Sequence, residues 1–581
     1  MVIDRNHLTL ICIDDDHHLF ANLKGCSTVL SILIHHHNRP FWPTMAKALV
    51  VLLLYCPEVL FNSPILGSET KAEQTEKRLA LQIDSLVNQA KIREEIVSTQ
   101  RSTDAEFMRR VSLDLTGKIP PVAELRFFLA DQDQAKREKL IDRLLASPGF
   151  VVHLTNTWRA ILLPEAATDL QARGQIPEFD AWFRSQLMDN ILYDDIVRQI
   201  IDAPLDVNRS RETPDNSQGL TPRAYYLAKQ LKPENLAAGT SRAFLGVRIE
   251  CAQCHDHPFD SWKQHQFWQY AAFFSNIDQP QQGVVENIQT VTEVVGKPQI
   301  KIPDTNRLVD AIFLDGIQPE WEKEQTSPRQ RLALWITSAQ NPYFAKATAN
   351  RIWSLFFGRG IIDPVDDFSS TNRASHPELL DLLAIRFREH NYDLKYLIRE
   401  ITNSQTYQLS SQQTAPSQSQ AEWYGKMSTR GLTAEQIFAN LVQATGFFQQ
   451  TTEANPLLFN PGLNSPQTEI FELFQSESEN RLDPKATILQ ALSLMNGTFI
   501  TNATSLEQSD VFTAIVDFPE LTDVQKIETF FLSALSRFPT EMESKRLTTY
   551  ITSAGSSEEK IHAYSDLFWA LLNSSEFLLN H

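Results

Sequence analysis

Apolar residues recur three or four positions apart along most of the chain, a spacing that places them on one face of an α-helix. The first such series is Leu79, Ile83, Leu86 and Ala90. Similar series follow in both halves, and several end at a glycine or begin at a proline, as helices commonly do. The pattern changes near residues 283–303, where β-branched residues predict a small β-hairpin or sheet. We therefore expect a mainly α, multi-helical protein with one short β insertion.

The length of 581 residues exceeds what one hydrophobic core usually supports and predicts more than one domain. The β-rich stretch marks the predicted boundary between two helical domains. We place the first helical domain at 69–280, a β-containing connector at 281–325 and the second helical domain at 326–581. Within the second domain, the Gln- and Ser-rich stretch 409–421 predicts a flexible linker.

The first 68 residues divide at Met45. Lys47, a short apolar run and a group of small residues follow it, which is the pattern of a secretory signal peptide. We interpret 45–68 as a signal peptide and 1–44 as an upstream extension; the alternative is a cytosolic N-terminal tail. The apolar run is far shorter than the ~20 residues that span a bilayer. We expect an exported protein, in the periplasm, at the cell surface or secreted, with no integral membrane span beyond the signal segment.

The charge balance limits the classes of partner. The chain has 53 Lys and Arg against 71 Asp and Glu, a formal net charge of −18. Nucleic acids and anionic membrane surfaces recruit basic faces, so this excess of acid argues against both. It is compatible with a basic partner protein, or with solubility alone.

Only two of the five cysteines, Cys251 and Cys254, follow the predicted signal peptide. They form a Cys-x-x-Cys-His motif with His255, and on a helix these three side chains would share one face. Attachment of a c-type haem needs this set, because two thiols bond the vinyl groups and the imidazole binds the iron. The motif therefore predicts haem c attached through the two cysteines, with His255 as the proximal iron ligand.

Two other interpretations of the motif stay open. In one, Cys251 and Cys254 bind zinc or iron together with His255 or His257. In the other, the cysteines form a disulfide that stiffens the turn, and no cofactor is bound. If haem is bound, His257 lies too close in sequence to reach the opposite iron face, and a supporting role is expected. His376 is our first candidate for the distal ligand; the alternative is a histidine that caps a loop.

Two other groups of residues have both a structural and a functional interpretation. The aromatic residues between 262 and 274 either line a haem pocket or belong to the core. A cluster of arginines and aspartates predicts an interdomain salt-bridge network, the alternative being a site for an anion, a sugar or a divalent ion: Arg351, Arg359, Asp363, Asp366 and Asp367.

Two series of short motifs carry a family resemblance. The first half contains RVSLDLTG at 110–117, LLASP at 144–148 and FLGVRIECAQCHDHPFD at 244–260. The second half contains RLALWITS at 331–338, NRIW at 350–353, FGRGI at 357–361, SHPELLD at 375–381 and NSSEFLLNH at 573–581. From about residue 79 onward, the chain resembles the planctomycete-type cytochrome C domain proteins. In these, an N-terminal cytochrome-like domain precedes a C-terminal companion domain, and neither domain has a known function.

The resemblance implies a secreted bacterial protein with a haem-attachment-like motif and no established reaction. Together with the motif, it predicts an exported haem protein that passes electrons to or from a periplasmic or surface partner. The alternative is a haem-free secreted structural or binding protein, linked to polysaccharide handling. No residue is assigned a catalytic role, and whether the protein is an enzyme is left open.

Overall fold

A computed structural model gives the fold. It describes residues 78–205, 220–277, 291, 293, 297–321, 327–447, 470, 474, 500, 503–506 and 508–581. The predicted upstream extension and signal peptide lie outside the described residues, as does most of the β-rich stretch before residue 297. All described residues belong to one compact unit.

Helices dominate the described residues, which confirms the predicted mainly α class. In the first half they are α1 Leu79–Arg93, α2 Asp104–Thr116, α3 Val122–Ala130, α4 Lys136–Leu145, α5 Pro148–Leu162, α6 Leu170–Gly174, α7 Ile176–Met188, α8 Tyr193–Ile201, α9 Ala224–Ala228, α10 Pro233–Thr240 and α11 Gln264–Ala271. Local signals set many of their ends. The hydroxyl of Thr103 accepts the backbone N–H of Glu106 at the start of α2, and Gly117 ends that helix with a φ of 70°.

The second half continues the same architecture. Its helices are α12 Pro328–Ile336, α13 Phe344–Phe357, α14 Pro377–Glu389, α15 Leu394–Asn403, α16 Ala434–Thr445, α17 Asp510–Val516, α18 Asp523–Leu535, α19 Glu541–Thr552 and α20 Ser557–Leu572. Capping boxes begin three of these helices, at Thr433, Thr522 and Thr540. Within the described part of the chain, no helix combines the length and apolarity needed to cross a membrane.

Two small antiparallel pairs of strands interrupt the helices. β1 Gln299–Lys301 pairs with β2 Leu308–Asp310, with Ile300 opposite Val309. β1 falls in the predicted β-rich stretch, and its partner lies a few residues beyond residue 303. β3 Arg430–Gly431 pairs with β4 Leu579–Asn580, a pairing that the sequence analysis did not predict.

Two clusters of buried apolar residues hold the helices together. The larger includes Leu79 and Tyr424 and draws on both predicted domains. The smaller consists mainly of residues after 431, joined by Leu113 and Ile119 from the first half. Core packing therefore crosses the predicted domain boundary, and the boundary itself stays a prediction.

The Gln- and Ser-rich stretch 409–421 is not a flexible linker, and that prediction was wrong. Gln418 is only 1% exposed, and its amide group donates to the carbonyl of Val97 at 3.0 Å. The same amide accepts the backbone N–H of Thr414 at 2.7 Å. The buried side chain of Gln418 bonds backbone groups of both its own segment and residue 97, which is why a polar composition is compatible with an ordered segment.

Candidate cofactor site

Cys251 lies on one turn of 3₁₀-helix, Glu250–Gln253, and Cys254 and His255 follow that turn, so the Cys-x-x-Cys-His motif does not lie on the α-helix that the prediction assumed. Ala252 is fully buried and anchors the turn in the core. Cys251 and Cys254 carry free thiols and are exposed. A 3₁₀-helix has three residues per turn, so positions three apart still lie on the same side.

Two side chains of α11 donate hydrogen bonds to backbone carbonyls of the motif. The indole N–H of Trp268 donates to the carbonyl of Gln253 at 3.0 Å, and Trp268 is 4% exposed. The side-chain amide of Gln264 donates to the carbonyl of Cys254 at 2.8 Å. These bonds occupy the carbonyls that a helix leaves without partners where it ends. The turn is thereby attached to a buried helix.

His255 is exposed, and one of its ring nitrogens already has a partner. Its Nδ1 lies 2.8 Å from the backbone oxygen of Asp256. A carbonyl oxygen can only accept, so Nδ1 carries the proton and the Nε2 lone pair of the neutral ring is free. Histidines that bind metals commonly donate their other ring N–H in this way.

The carboxylate of Asp256 connects the motif to the start of α11. It accepts the backbone N–H of Gln264 at 3.0 Å and lies 3.2 Å from the ammonium of Lys263. The bond from Gln264, followed by that from Lys263, holds the pKa of Asp256 below its usual value. The ionised carboxylate therefore closes the loop between the motif and the helix.

His257 organises the next part of the loop. Its backbone N–H donates to the carbonyl of Trp262 at 2.8 Å, and its Nδ1 accepts the N–H of Phe259 at 3.3 Å. Phe259 itself is 81% exposed.

No group of three or more His, Cys, Asp or Glu side chains in the described ranges is arranged to hold a metal ion. The zinc or iron alternative therefore stays a prediction.

His376 lies in a different environment. It is 5% exposed, precedes α14 without a capping bond from its ring, and has Nδ1 3.0 Å from the hydroxyl of Ser375. Its ring packs against those of Trp423 and Tyr424. Burial lowers its pKa to about 4, and two nearby cations act in the same direction. None of these contacts involves the Cys-x-x-Cys-His motif, and the role of His376 as distal ligand stays a prediction.

The polar cluster predicted in the second half forms an ion-pair network with the segment that leads into the motif. Asp366 accepts hydrogen bonds from Arg242 and from Arg248, whose Nη2 lies 2.6 Å away. Arg351 donates to the backbone oxygen of Arg242 at 3.0 Å. Burial opposes ionisation of Asp366, but Arg242 and Arg248 hold its pKa below the usual value. The predicted salt bridge between the two halves is confirmed for Asp366, although the sequence analysis missed both of its arginine partners.

A close backbone contact lies beside this network. The N–H of Phe368 donates to the carbonyl of Gly246 at 2.9 Å. Gly246 has a φ of +67°, and a Cβ there would lie 2.8 Å from Cδ2 of Phe368. Only glycine fits both the backbone conformation and the space. The segment that enters the motif is thus held directly by the second half of the chain.

The aromatic residues after the motif belong to the protein core. Phe267, Trp268, Tyr270, Phe273 and Phe274 are all buried in the larger apolar cluster. For example, the ring of Phe273 stacks on that of Phe313, with 4.9 Å between centroids. Other protein rings therefore occupy the space around them. The core interpretation, which the sequence pattern favoured over a haem pocket, is confirmed for these five residues.

The fold and motif define a helical protein whose surface presents two thiols and an imidazole on one 3₁₀ turn and the two residues that follow it. Residues 82–279 match the family model PSCyt2, protein of unknown function (DUF1549). Residues 328–461 match PSD1, protein of unknown function (DUF1553). In this order, the two matches correspond to the planctomycete cytochrome C domain pair, which confirms the resemblance found in the sequence. No curated protein and no solved structure matches the chain.

Proposed function

We propose that this is an exported protein that carries one covalently attached c-type haem and exchanges electrons with a partner protein. Cys251 and Cys254 provide the two thiols for attachment, and Nε2 of His255 binds the iron on the proximal side. A haem bound there supplies a one-electron redox centre. The proposal assigns no substrate and no catalytic residue.

One observation carries the proposal: both thiols are free and exposed beside an imidazole whose Nδ1 is engaged. Free thiols are the form that adds to vinyl groups, and exposure gives an attachment enzyme access to Cys251 and Cys254. The bond from Nδ1 to the carbonyl of Asp256 leaves Nε2 of His255 as the donor atom. The donor set therefore fits a c-type haem chemically.

Location and partner follow from other features. The signal pattern at 45–68 supports export, and c-type haem is attached outside the cytoplasm. An exported chain whose mature part contains only the cysteines of this motif is not using them as a disulfide framework. The net charge of −18 favours a redox partner with a basic contact surface.

The full chain should be produced in bacteria together with haem-ligation machinery, purified, and extracted with acid–acetone. We expect the Soret band to stay with the polypeptide, and the intact mass to increase by one haem. The Cys251→Ser, Cys254→Ser double variant should be colourless, because no thioether can form. His255→Gln should alter the spectrum of any attached haem, whereas His265→Gln serves as a control outside the motif.

A colourless wild-type protein, produced while a known c-type cytochrome matures in the same cells, would overturn the proposal. The haem-free structural or binding protein would then be the better interpretation. In that case the double cysteine variant should differ from wild type in stability alone. Metal analysis of the same preparation would detect zinc or iron bound without porphyrin.

A further inference from the structure

The motif turn is short and exposed, so its own hydrogen bonds hold it only weakly. A single 3₁₀ turn has poor hydrogen-bond geometry and few internal bonds. Cys254 and His255 follow the last residue of the turn, and both are exposed. Something outside the turn must therefore define their orientation.

α11 supplies that support through two different donors. Gln264 reaches the carbonyls of Gln253 and Cys254 at 3.4 and 2.8 Å, and Trp268 reaches the carbonyl of Gln253 at 3.0 Å. Both carbonyls lie between the first cysteine and the histidine of the motif. Because Trp268 is buried, core packing fixes the position of the indole N–H that bonds the exposed turn. A rotation of either peptide would break one of these bonds.

The same helix also acts on the peptide that follows His255. The backbone N–H of Gln264 donates to the side-chain carboxylate of Asp256. The backbone carbonyl of Asp256 in turn accepts a hydrogen bond from Nδ1 of His255. Four bonds from Gln264 and Trp268 thus hold the residues on both sides of the histidine in sequence. The tautomer of His255 depends on the position of that Asp256 carbonyl.

We propose that Gln264 and Trp268 are positioning residues for the motif, holding its carbonyls so that His255 keeps Nδ1 protonated and Nε2 free. This inference rests on the proposed function, since a free Nε2 matters only if it binds iron. Neither residue touches the cofactor in this proposal. They act through the backbone of the turn.

Two variants remove one donor each, Gln264→Met with little change in side-chain volume and Trp268→Phe with a smaller aromatic ring kept in the core. Gln264→Met deletes the amide, and Trp268→Phe deletes the indole N–H. Gln266→Met is the matched control, because it makes the same chemical change on the same helix. In the wild type, Gln266 bonds the backbone N–H of Lys263 instead of the motif carbonyls.

The first measurement is ¹⁵N NMR of the haem-free protein, selectively labelled at histidine and assigned with His255→Gln. We expect the wild type and Gln266→Met to show Nδ1 protonated at His255. The turn can be bonded to α11 or detached from it. In Gln264→Met and Trp268→Phe, the population ratio of the bonded to the detached state should fall about fivefold, the effect of losing one typical hydrogen bond. The ring signals should then move toward an average of the two tautomers.

The second measurement is covalent haem per polypeptide after production with the ligation machinery. Reduced loading in Gln264→Met and Trp268→Phe, with normal loading in Gln266→Met, would support the inference. Unchanged tautomer and unchanged loading in both variants would overturn it. If the wild type stays colourless but the tautomer shifts as expected, the positioning role stands and the proposed haem function fails.

Discussion

The carboxylate of Asp114 accepts two hydrogen bonds from the guanidinium of Arg430, at 2.7 and 3.0 Å. The side chain of Asp114 is 4% exposed and also accepts bonds from the hydroxyl of Tyr407 and the amide of Asn580. Burial raises the pKa of Asp114, while Arg430 favours its ionised form. This ion pair joins α2 to β3 and β4, which lie more than three hundred positions later in the chain.

Removing one partner of this pair should destabilise the protein strongly. Asp114→Ala should lower the free energy of unfolding by about 3–5 kcal/mol, because it leaves the charge of Arg430 buried without its partner. The double variant with Arg430→Ala should lose less than the sum of the two single variants. Urea unfolding of the four proteins measures this coupling.

Glu124→Ala provides the control for that cycle. Glu124 pairs with Arg143 at 2.6 Å, but both side chains are largely exposed. Its loss should cost less than about 1 kcal/mol. Additive effects at Asp114 and Arg430 would show that their pairing contributes no free energy.

Arg109 connects α2 to the end of α18 and to residues 576–579. Its guanidinium is 1% exposed and donates to four backbone carbonyls at 3.1–3.4 Å, those of Ala534, Glu576, Phe577 and Leu579. Arg109→Met should lower the free energy of unfolding by about 3 kcal/mol or more, since each buried acceptor left unpaired costs about 1–3 kcal/mol.

Arg126→Met is the matched comparison for Arg109, because Arg126 is exposed and bonds only to the hydroxyl of Thr529 among the contacts described. It should change the stability by less than about 0.5 kcal/mol. Thermal and urea unfolding of both variants give the test. Equal effects of the two substitutions would contradict the role assigned to Arg109.

His376 should make the stability depend on pH between about 6.5 and 4. An imidazole in the unfolded chain titrates near pH 6.5, roughly its ordinary value, whereas burial lowers the pKa of His376 to about 4. Below pH 6.5 the unfolded state takes up a proton that the folded state does not. This group's contribution is therefore complete above that pH and declines by up to about 1.4 kcal/mol per pH unit as the pH falls toward 4.

Replacing the titrating ring isolates this effect. His376→Phe should lose less stability than the wild type between pH 7 and pH 5, as measured by urea unfolding at each pH. His562→Gln, at an exposed position, should keep the wild-type slope. A parallel slope for His376→Phe would mean that the imidazole takes up its proton over the same pH range in the folded and unfolded states.

Ala252 should tolerate no larger side chain, although it lies inside an exposed motif. It is fully buried between two exposed cysteines. Ala252→Leu should cost about 1–3 kcal/mol by overpacking and should reduce covalent haem loading by displacing the turn. Gln253→Leu enlarges the apolar surface one position later, where the side chain is partly exposed, and should affect stability much less. Unfolding and haem content measured together provide the check.

Helix periodicity predicted the architecture well because most helices here bury one apolar face. The same reasoning failed at Cys251, where the chain forms a single 3₁₀ turn. The burial of Ala252 and the bonds from α11 hold that turn, and neither is visible in the local sequence. The motif letters predicted the chemistry of the site but not its local structure.

Long-range polar contacts were beyond sequence reasoning for a related cause. Asp366 was recognised as part of a salt-bridge network, but its partners Arg242 and Arg248 lie 124 and 118 positions away. Similarly, the polar composition of 409–421 predicted a linker. Composition does not reveal that the side chain of Gln418 bonds backbone groups of Val97 and Thr414. Pairings of this kind depend on tertiary structure, which single-residue patterns do not encode.

The pairing of β3 with β4 has a consequence for the order of folding. Arg430 and Asn580 pair with each other and both bond to Asp114. During synthesis from the N-terminus, α2 therefore lacks these two partners until residue 580 has been made. Such distant contacts slow folding. We therefore expect the polar contacts of Asp114 to be among the last to form.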